Sequence, residues 1–304
     1  MFLQIPLKLT TQGHELDTSP ECFGELRRSD DFISDLPALL ERMRTDGYLY
    51  LPGYLDRKEV LDARRELTVR LAAKGFLDPR FPAMEAVAAE NTQSPWGIGL
   101  EVANHPLSKV LYSGRLMEFF STFLQGPVLH FTYTWMRSIA PGKGTPAHCD
   151  IVYMGRGTKD LYTAWVPYGD VSFEMGGLMI LEGSHLNERL REGYCQKDVD
   201  SYCSNKEDAA DYASGQKWWD GQLSHNPPSL RNGMGGRWLT AEYKAGDVVV
   251  FGMNTVHCSL DNQSKAFRLS TDSRYQLASE PADERWIGEN PVGHGPGGKR
   301  GRIC

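Results

Sequence analysis

The sequence predicts a mainly β fold, a sandwich or barrel, with helices flanking its N-terminal side. Three observations lead there. Residues 1–125 carry apolar side chains at helical spacing. After Gly126 the texture shifts to short runs rich in β-branched and aromatic residues. Those runs are split by Gly, Pro and Asp, as in sandwiches and barrels.

The helical region comes first. Asp35-Leu36-Pro37 opens a segment with Leu36, Leu39, Leu40 and Met43 on one face, and proline is tolerated in a first turn. Gly47 to Gly53 reads as a short strand bounded by breakers. Arg57 to Gly75 returns to helical spacing through Val60, Leu61, Leu67 and Leu71. Leu107 to Leu124 is read as one further helix, ending before Gly126-Pro127.

The strands follow. Val128 to Ile139 is the first stretch, then Leu161–Val166, Gly177–Leu181, Asp247–Phe251 and Phe267–Tyr275. Residues 186–238 interrupt the series with a polar segment holding Trp218-Trp219 and Pro227-Pro228. Loops of that length are functional or contain helices of their own. Asn290 to Arg302 is rich in glycine and basic residues and reads as a mobile tail or a flexible cover. The expected organisation is one domain over 1–304: a helical region 1–125, a β core 126–280 with the insertion 186–238, and a flexible tail 281–304.

Bulk properties narrow the function. The 304 residues are 40% apolar, enough for a large core, and β barrels of this size form single units. A net charge of −6 argues against a nucleic-acid partner, which would call for a basic stripe. No run reaches the roughly 20 apolar residues of a spanning helix. The stretch MFLQIPLKLTTQGHELD lacks a basic segment followed by a long apolar one, so no leader is expected. The six cysteines are dispersed and include no CxxC, which suggests reduced thiols and a cytoplasmic setting.

The chemistry concentrates in His148-Cys149-Asp150 and His257. On a strand, residues i and i+2 share a face, so the imidazole of His148 and the carboxylate of Asp150 would converge. His257, from a second strand-like run, could complete a two-histidine, one-carboxylate set. Such a set leaves the opposite metal positions open and suits non-haem Fe(II) oxygenases. Cys149 and Cys258 suggest a zinc site, but adjacent strand residues face opposite sides and both are read as small buried apolar residues.

Four blocks carry a resemblance between Asp46 and Gln276. They are DGYLYLPGYLDRKEV, PGKGTPAHCDIVY, WVPYGDVSFEMGGLMILEGSHL and AGDVVVFGMNTVHCSLDNQSKAFRLSTDSRYQ. In order and spacing they resemble the phytanoyl-CoA dioxygenase family. The resemblance implies a double-stranded β-helix, a jelly-roll or cupin-like core, with N-terminal helices. It implies a single catalytic domain using Fe(II), 2-oxoglutarate and O2. His148, Asp150 and His257 match the iron ligands. Arg268 matches the arginine that grips the far carboxylate of 2-oxoglutarate, a task suited to a planar guanidinium, and Arg274 is its rival.

Ser259 and Trp165 match positions around the same cosubstrate, and Ser270 shares a strand face with Arg268. His185, in Gly-Ser-His, matches a histidine that does not ligate iron. Halogenases of the superfamily carry a small residue where Asp150 stands, so hydroxylation of a small molecule is implied. Two alternatives stay open: a cupin-like metal enzyme without 2-oxoglutarate, which leaves Arg268 without a purpose, and a non-catalytic metal-binding member. Basic residues in the insertion, such as Arg189, Arg191 and Lys197, could meet an anion or simply be solvated.

Overall fold

The computed structural model describes residues 8–304. The first seven residues of the stretch read above for a leader lie outside the described residues. In chain order the strands are β1 (Thr10–Thr11), β2 (His14–Glu15), β3 (Phe23–Glu25), β4 (Tyr48–Leu51), β5 (Val128–His130), β6 (Trp135–Ile139), β7 (Tyr162–Pro167), β8 (Leu178–Leu181), β9 (Ser201–Cys203), β10 (Trp238–Thr240), β11 (Val248–Gly252), β12 (His257–Ser259), β13 (Arg268–Leu277) and β14 (Arg300–Arg302). The α-helices are α1 (Leu36–Asp46), α2 (Arg57–Ala73), α3 (His105–Tyr112), α4 (Gly114–Phe123), α5 (Ile151–Met154), α6 (Glu188–Glu192), α7 (Ala209–Ser214) and α8 (Pro227–Met234).

Side-chain caps start the N-terminal helices. Asp35 accepts from Ala38 N–H, Asp56 from Glu59 N–H and Asn104 from Leu107 N–H, each answering an N–H that the helix leaves free. The single helix expected over Leu107–Leu124 is two helices instead. Ser113 is extended, and Gly114 takes φ +58, a conformation that glycine adopts without penalty. The chain therefore turns between α3 and α4.

Two sheets make the centre. The larger has the order β4-β11-β7-β13-β5, all antiparallel, with β6 also paired to β13. The smaller has the order β12-β8-β10-β3, in which only β10 and β3 run parallel. Alternation along the strands explains their packing. Leu49, Leu51, Ala164, Val166, Val248 and Val250 face the helices and join Val60, Leu67, Phe120 and Phe123 in one apolar cluster. Tyr48, Tyr50, Trp165, Val249 and Phe251 face the other way and meet Leu178, Ile180 and Leu239 of the smaller sheet. The two sheets thus pack face to face.

Strand β13 breaks this apolar pattern. Leu269 and Tyr275 point to the helices, whereas Arg268, Ser270 and Arg274 are buried polar residues on the alternate positions. Burying such groups is costly unless something answers them, so this strand marks where the site lies.

The insertion 186–238 contains α6, β9, α7 and α8 and packs back through Val199 N–H to the Val152 carbonyl (3.0 Å). Two sequence expectations need correction here. Cys203 and Cys304 form a disulfide with a Cα–Cα distance of 5.4 Å, so they are not reduced thiols. Cys22, Cys149, Cys195 and Cys258 are free and buried. The tail is also fastened rather than loose. β14 pairs in parallel with β9, and Arg285 bonds Asp198, Asp200 and Asp283 at 2.6–3.2 Å. His294 adds a 2.6 Å contact to Asp200. Local sequence hides both features, because each depends on the chain end returning to the insertion. Among the described residues no helix is long and apolar enough to cross a membrane.

Candidate active site

His148 and His257 meet across a two-residue antiparallel bridge, each N–H donating to the other's carbonyl at 3.0 Å. His148 Nδ1 lies 2.8 Å from the Pro146 carbonyl, and His257 Nδ1 lies 3.0 Å from the Thr255 carbonyl. A carbonyl only accepts, so both Nδ1 atoms carry a proton, and in the neutral imidazole the lone pair is then on Nε2. Those Nε2 atoms stand 3.8 and 3.7 Å from Asp150 Oδ1. One ligand atom from each of the three residues lies within 4.8 Å of the others, and all three residues are buried. Cis donors on an ion with bonds of about 2.1 Å sit about 3 Å apart, so a small inward adjustment closes this set on a cation.

Asp150 reaches that position by a different backbone from the one the spacing suggested. It does not continue a strand. Its φ of −65° and ψ of −26° are helical, and it leads into α5. Aspartate is a poor strand former and favours helix starts, so the strand-like register ends at His148.

The carboxylate is held from behind. Oδ2 accepts from Arg274 Nη2 at 3.0 Å and from Thr163 Oγ1. Burial alone would raise its pKa, but Arg274 and the two imidazoles more than offset this and hold the carboxyl low. Burial, with His257 beside it, pushes His148 down to about 3. At neutral pH the set therefore offers a neutral imidazole and a carboxylate, the forms that bind metal.

Next to the triad lies a small cavity lined by Thr145, Trp165, Ser259, Arg268, Arg137 and Asp272. Arg268 is 2% exposed; its Nη1 donates to Ser270 Oγ at 2.6 Å, and its Nε has no partner. Among the described residues it makes no ion pair, whereas Arg274 has Asp150 and Arg137 has Asp272 at 2.7 Å. Burial lowers Arg268 to about 10, so it stays charged at neutral pH. A buried, unneutralised guanidinium with an unanswered N–H fits an incoming carboxylate. Ser259 Oγ accepts Thr145 N–H at 2.8 Å while lining this cavity. Trp165 both lines it and packs on Tyr243, with ring centroids 4.6 Å apart.

A larger cavity of about 520 Å³ opens on the other side of His148 and Asp150. Trp96, Trp135, Tyr153 and Trp218 supply aromatic wall. Arg137, Lys143 and Arg274 are its cations, Gln12, Ser94, Thr145, Gln222, His225 and His294 add polar groups, and Asp150 is its single carboxylate.

Sequence reasoning missed Thr163 and Arg137. Arg137 carried a signal, since it shares a face of β6 with Trp135 and Ile139. Thr163 carried none. His185 stands apart from the triad, with Nε2 on the Arg44 carbonyl at 3.1 Å. Cys149 and Cys258 sit in the apolar cluster behind the smaller sheet.

Residues 43–270 match the family model for phytanoyl-CoA dioxygenase, PhyH. The chain belongs to the phytanoyl-CoA dioxygenase family. It is an Fe(II)- and 2-oxoglutarate-dependent dioxygenase of the hydroxylase kind. Among its relatives, 1-deoxypentalenic acid 11-beta-hydroxylase of Streptomyces exfoliatus is 26% identical over 272 residues, covering 82% of this chain and 86% of that protein. The solved structure of the epimerase SnoN with Fe3+, alpha ketoglutarate and nogalamycin RO aligns with a TM-score of 0.53 at 21% identity, covering 84% of this chain and 87% of SnoN. EctD from S. alaskensis, with 2-oxoglutarate and 5-hydroxyectoine, aligns at 0.54 and 17% identity, covering 91% and 87%. At such identities the structural likeness speaks for the fold of this PhyH-family chain.

Proposed function

We propose that His148, Asp150 and His257 hold the Fe(II) of this dioxygenase and that Arg268 binds the far carboxylate of 2-oxoglutarate. The two facing sheets are then a double-stranded β-helix, in a single catalytic domain that spans the described residues. The observation that carries this reading is one carboxylate oxygen facing two imidazole Nε2 atoms, with a buried, unpaired arginine in the adjoining cavity. When bound, the iron and 2-oxoglutarate supply O2 activation and C–H oxidation, with release of succinate and CO2.

The chain's own residues position and shelter. The Pro146 and Thr255 carbonyls fix the tautomer and aim of the imidazoles. Arg274 and Thr163 occupy Asp150 Oδ2 and leave Oδ1 toward the metal position. Ser270 aims Arg268, and Ser259 and Trp165 shape the floor and wall around the cosubstrate. Trp135 and Tyr153 place aromatic surface in the larger cavity beside His148 and Asp150.

That cavity also favours a substrate class: an apolar small molecule bearing an acidic group. Aromatic rings line its walls, and Arg137, Lys143 and Arg274 are its cations against one carboxylate. The named substrate of the S. exfoliatus relative, an acid, supports this. A cytoplasmic setting remains a proposal, and the Cys203–Cys304 bond weighs against it.

The test is succinate formation from 2-oxoglutarate by the purified Fe(II) protein under O2. We expect it in the wild type, and its loss together with bound iron in His148→Ala and Asp150→Ala. Full turnover in either purified variant would refute the ligand assignment. Turnover of a substrate without succinate would favour a cupin-like enzyme instead.

A further inference from the structure

We propose that a second, basic cavity, separated from the metal triad by α5, binds a small anion carrying at least two phosphate groups. The cavity measures about 470 Å³, within the range of small-molecule sites. Ile151 of α5 lines it, whereas Tyr153 and Met154 of the same short helix line the larger cavity beside the triad. The two spaces are neighbours with a shared wall.

Its charge is out of keeping with the rest of the molecule. The chain carries a net charge of −6, yet this cavity is lined by Arg156, Lys159, Arg191, Lys197, Arg300 and Arg302, with Asp198 its only carboxylate. Arg156 is answered by Asp198 at 2.7 Å and Glu284 at 3.5 Å, and Arg300 by Glu284. Among the described residues the other four, Lys159, Arg191, Lys197 and Arg302, make no ion pair.

These cations do not lie along one helix face, where they would be ordinary solvated charges. They arrive from separate segments: the turn after α5, α6, the stretch before β9, and β14. The pairing of β14 with β9 and the Cys203–Cys304 bond hold the chain end beside the insertion. Gathering like charges around a concave space raises the local potential and favours an anion there. Guanidiniums suit phosphate because they present paired N–H donors. Four unneutralised charges exceed what one phosphate needs, which points to a diphosphate or bisphosphate. Asn254 and Gln196 add uncharged polar residues to the lining. The walls offer no aromatic ring, so no base-stacking partner is required.

The probe is inorganic pyrophosphate, titrated calorimetrically into the full-length iron-loaded protein with its disulfide intact, and iron content is measured before and after. Pyrophosphate is expected to bind, to bind about tenfold or more tightly than orthophosphate, and to weaken as salt rises. The double substitution Arg191→Glu, Arg302→Glu should weaken it by about tenfold or more. Both side chains are exposed, so this variant should keep the unliganded melting temperature and iron content of the wild type. If it does not fold, Arg302→Gln alone provides the comparison, with a smaller loss expected. Three results would overturn the proposal: no binding, binding indifferent to these substitutions, or heat that vanishes in His148→Ala, which would mean that pyrophosphate only strips iron.

Discussion

The guanidinium of Arg274 donates to Asp150 Oδ2 at 3.0 Å, and both side chains are 2% exposed. The contact ties β13 to the start of α5 and sets the carboxylate before any metal arrives. It also supports the proposal of Arg268 over Arg274 for 2-oxoglutarate, since Arg274 is already engaged. Arg274→Ala should therefore act on Asp150, the proposed metal ligand. Leaving one partner of a buried pair uncompensated costs about 3–5 kcal/mol, which thermal unfolding would detect. Because Arg274 helps hold the Asp150 carboxyl low, its removal raises that pKa, and protons compete with iron at higher pH. Iron affinity measured over a pH series should begin to fall at a higher pH than in the wild type. An unchanged acid limb would refute this role.

Arg268→Ala should leave iron binding near wild type and weaken 2-oxoglutarate. Truncating one side of a buried charge pair costs about 2–4 kcal/mol, or roughly 30- to 1,000-fold in affinity. Arg268→Lys should recover part of this, since it restores the charge without the fork. The measurement is the KM for 2-oxoglutarate in succinate release. An unchanged KM would shift the role to Arg137, which lines the same cavity.

These two arginines also show what the sequence could and could not reveal. Both sit on one strand at even spacing, so their common face was legible from alternation. Their division of labour was not, because it depends on which reaches Asp150 in three dimensions. The three proposed ligands were legible as residue types and by resemblance, although the strand geometry assumed for Asp150 was not the one used. The break between α3 and α4 at Ser113-Gly114 was hidden by unbroken apolar spacing on either side. The disulfide and the fastened tail were invisible for a different reason: Cys304 and Arg285 find their partners about 85–100 residues away, at distances that local pattern does not report.

Gly47 ends α1 at φ +77, and a Cβ built there would stand 2.4 Å from His185 Nδ1. Gly47→Ala meets two penalties, the left-handed backbone and the clash with the imidazole. Together they should destabilise by about 1–3 kcal/mol. Adding His185→Ala removes the clash and leaves the backbone penalty, so a double-mutant cycle in urea should show a favourable coupling. Additive effects would mean that the imidazole swings aside at no cost. Because His185 lies apart from the triad, iron content should stay constant throughout.

The last prediction concerns acid and the chain end. Burial would raise the pKa of Asp283 and of Asp200, but hydrogen bonds from Arg285 to both, and from His294 to Asp200, outweigh it and lower both. Folded-state values below the unfolded value of about 3.9 mean that the unfolded state binds more protons as pH falls. Their contribution is thus fully present above about pH 4 and is lost as pH drops through the folded values. Hydrogen exchange at the amides of β14 and around Trp286, compared at equal intrinsic exchange rate, should show protection at pH 7 that declines below pH 4. The Cys203–Cys304 bond keeps the end tethered, so exchange is the proper readout rather than release of the segment. Arg285→Ala leaves Asp198, Asp200 and Asp283 without their shared cation. The pKa values of Asp200 and Asp283 rise, and the loss of protection should move to higher pH. Equal protection at pH 7 and pH 3 in the wild type would show that β-pairing and the disulfide hold the tail without the carboxylate–Arg285 clamp.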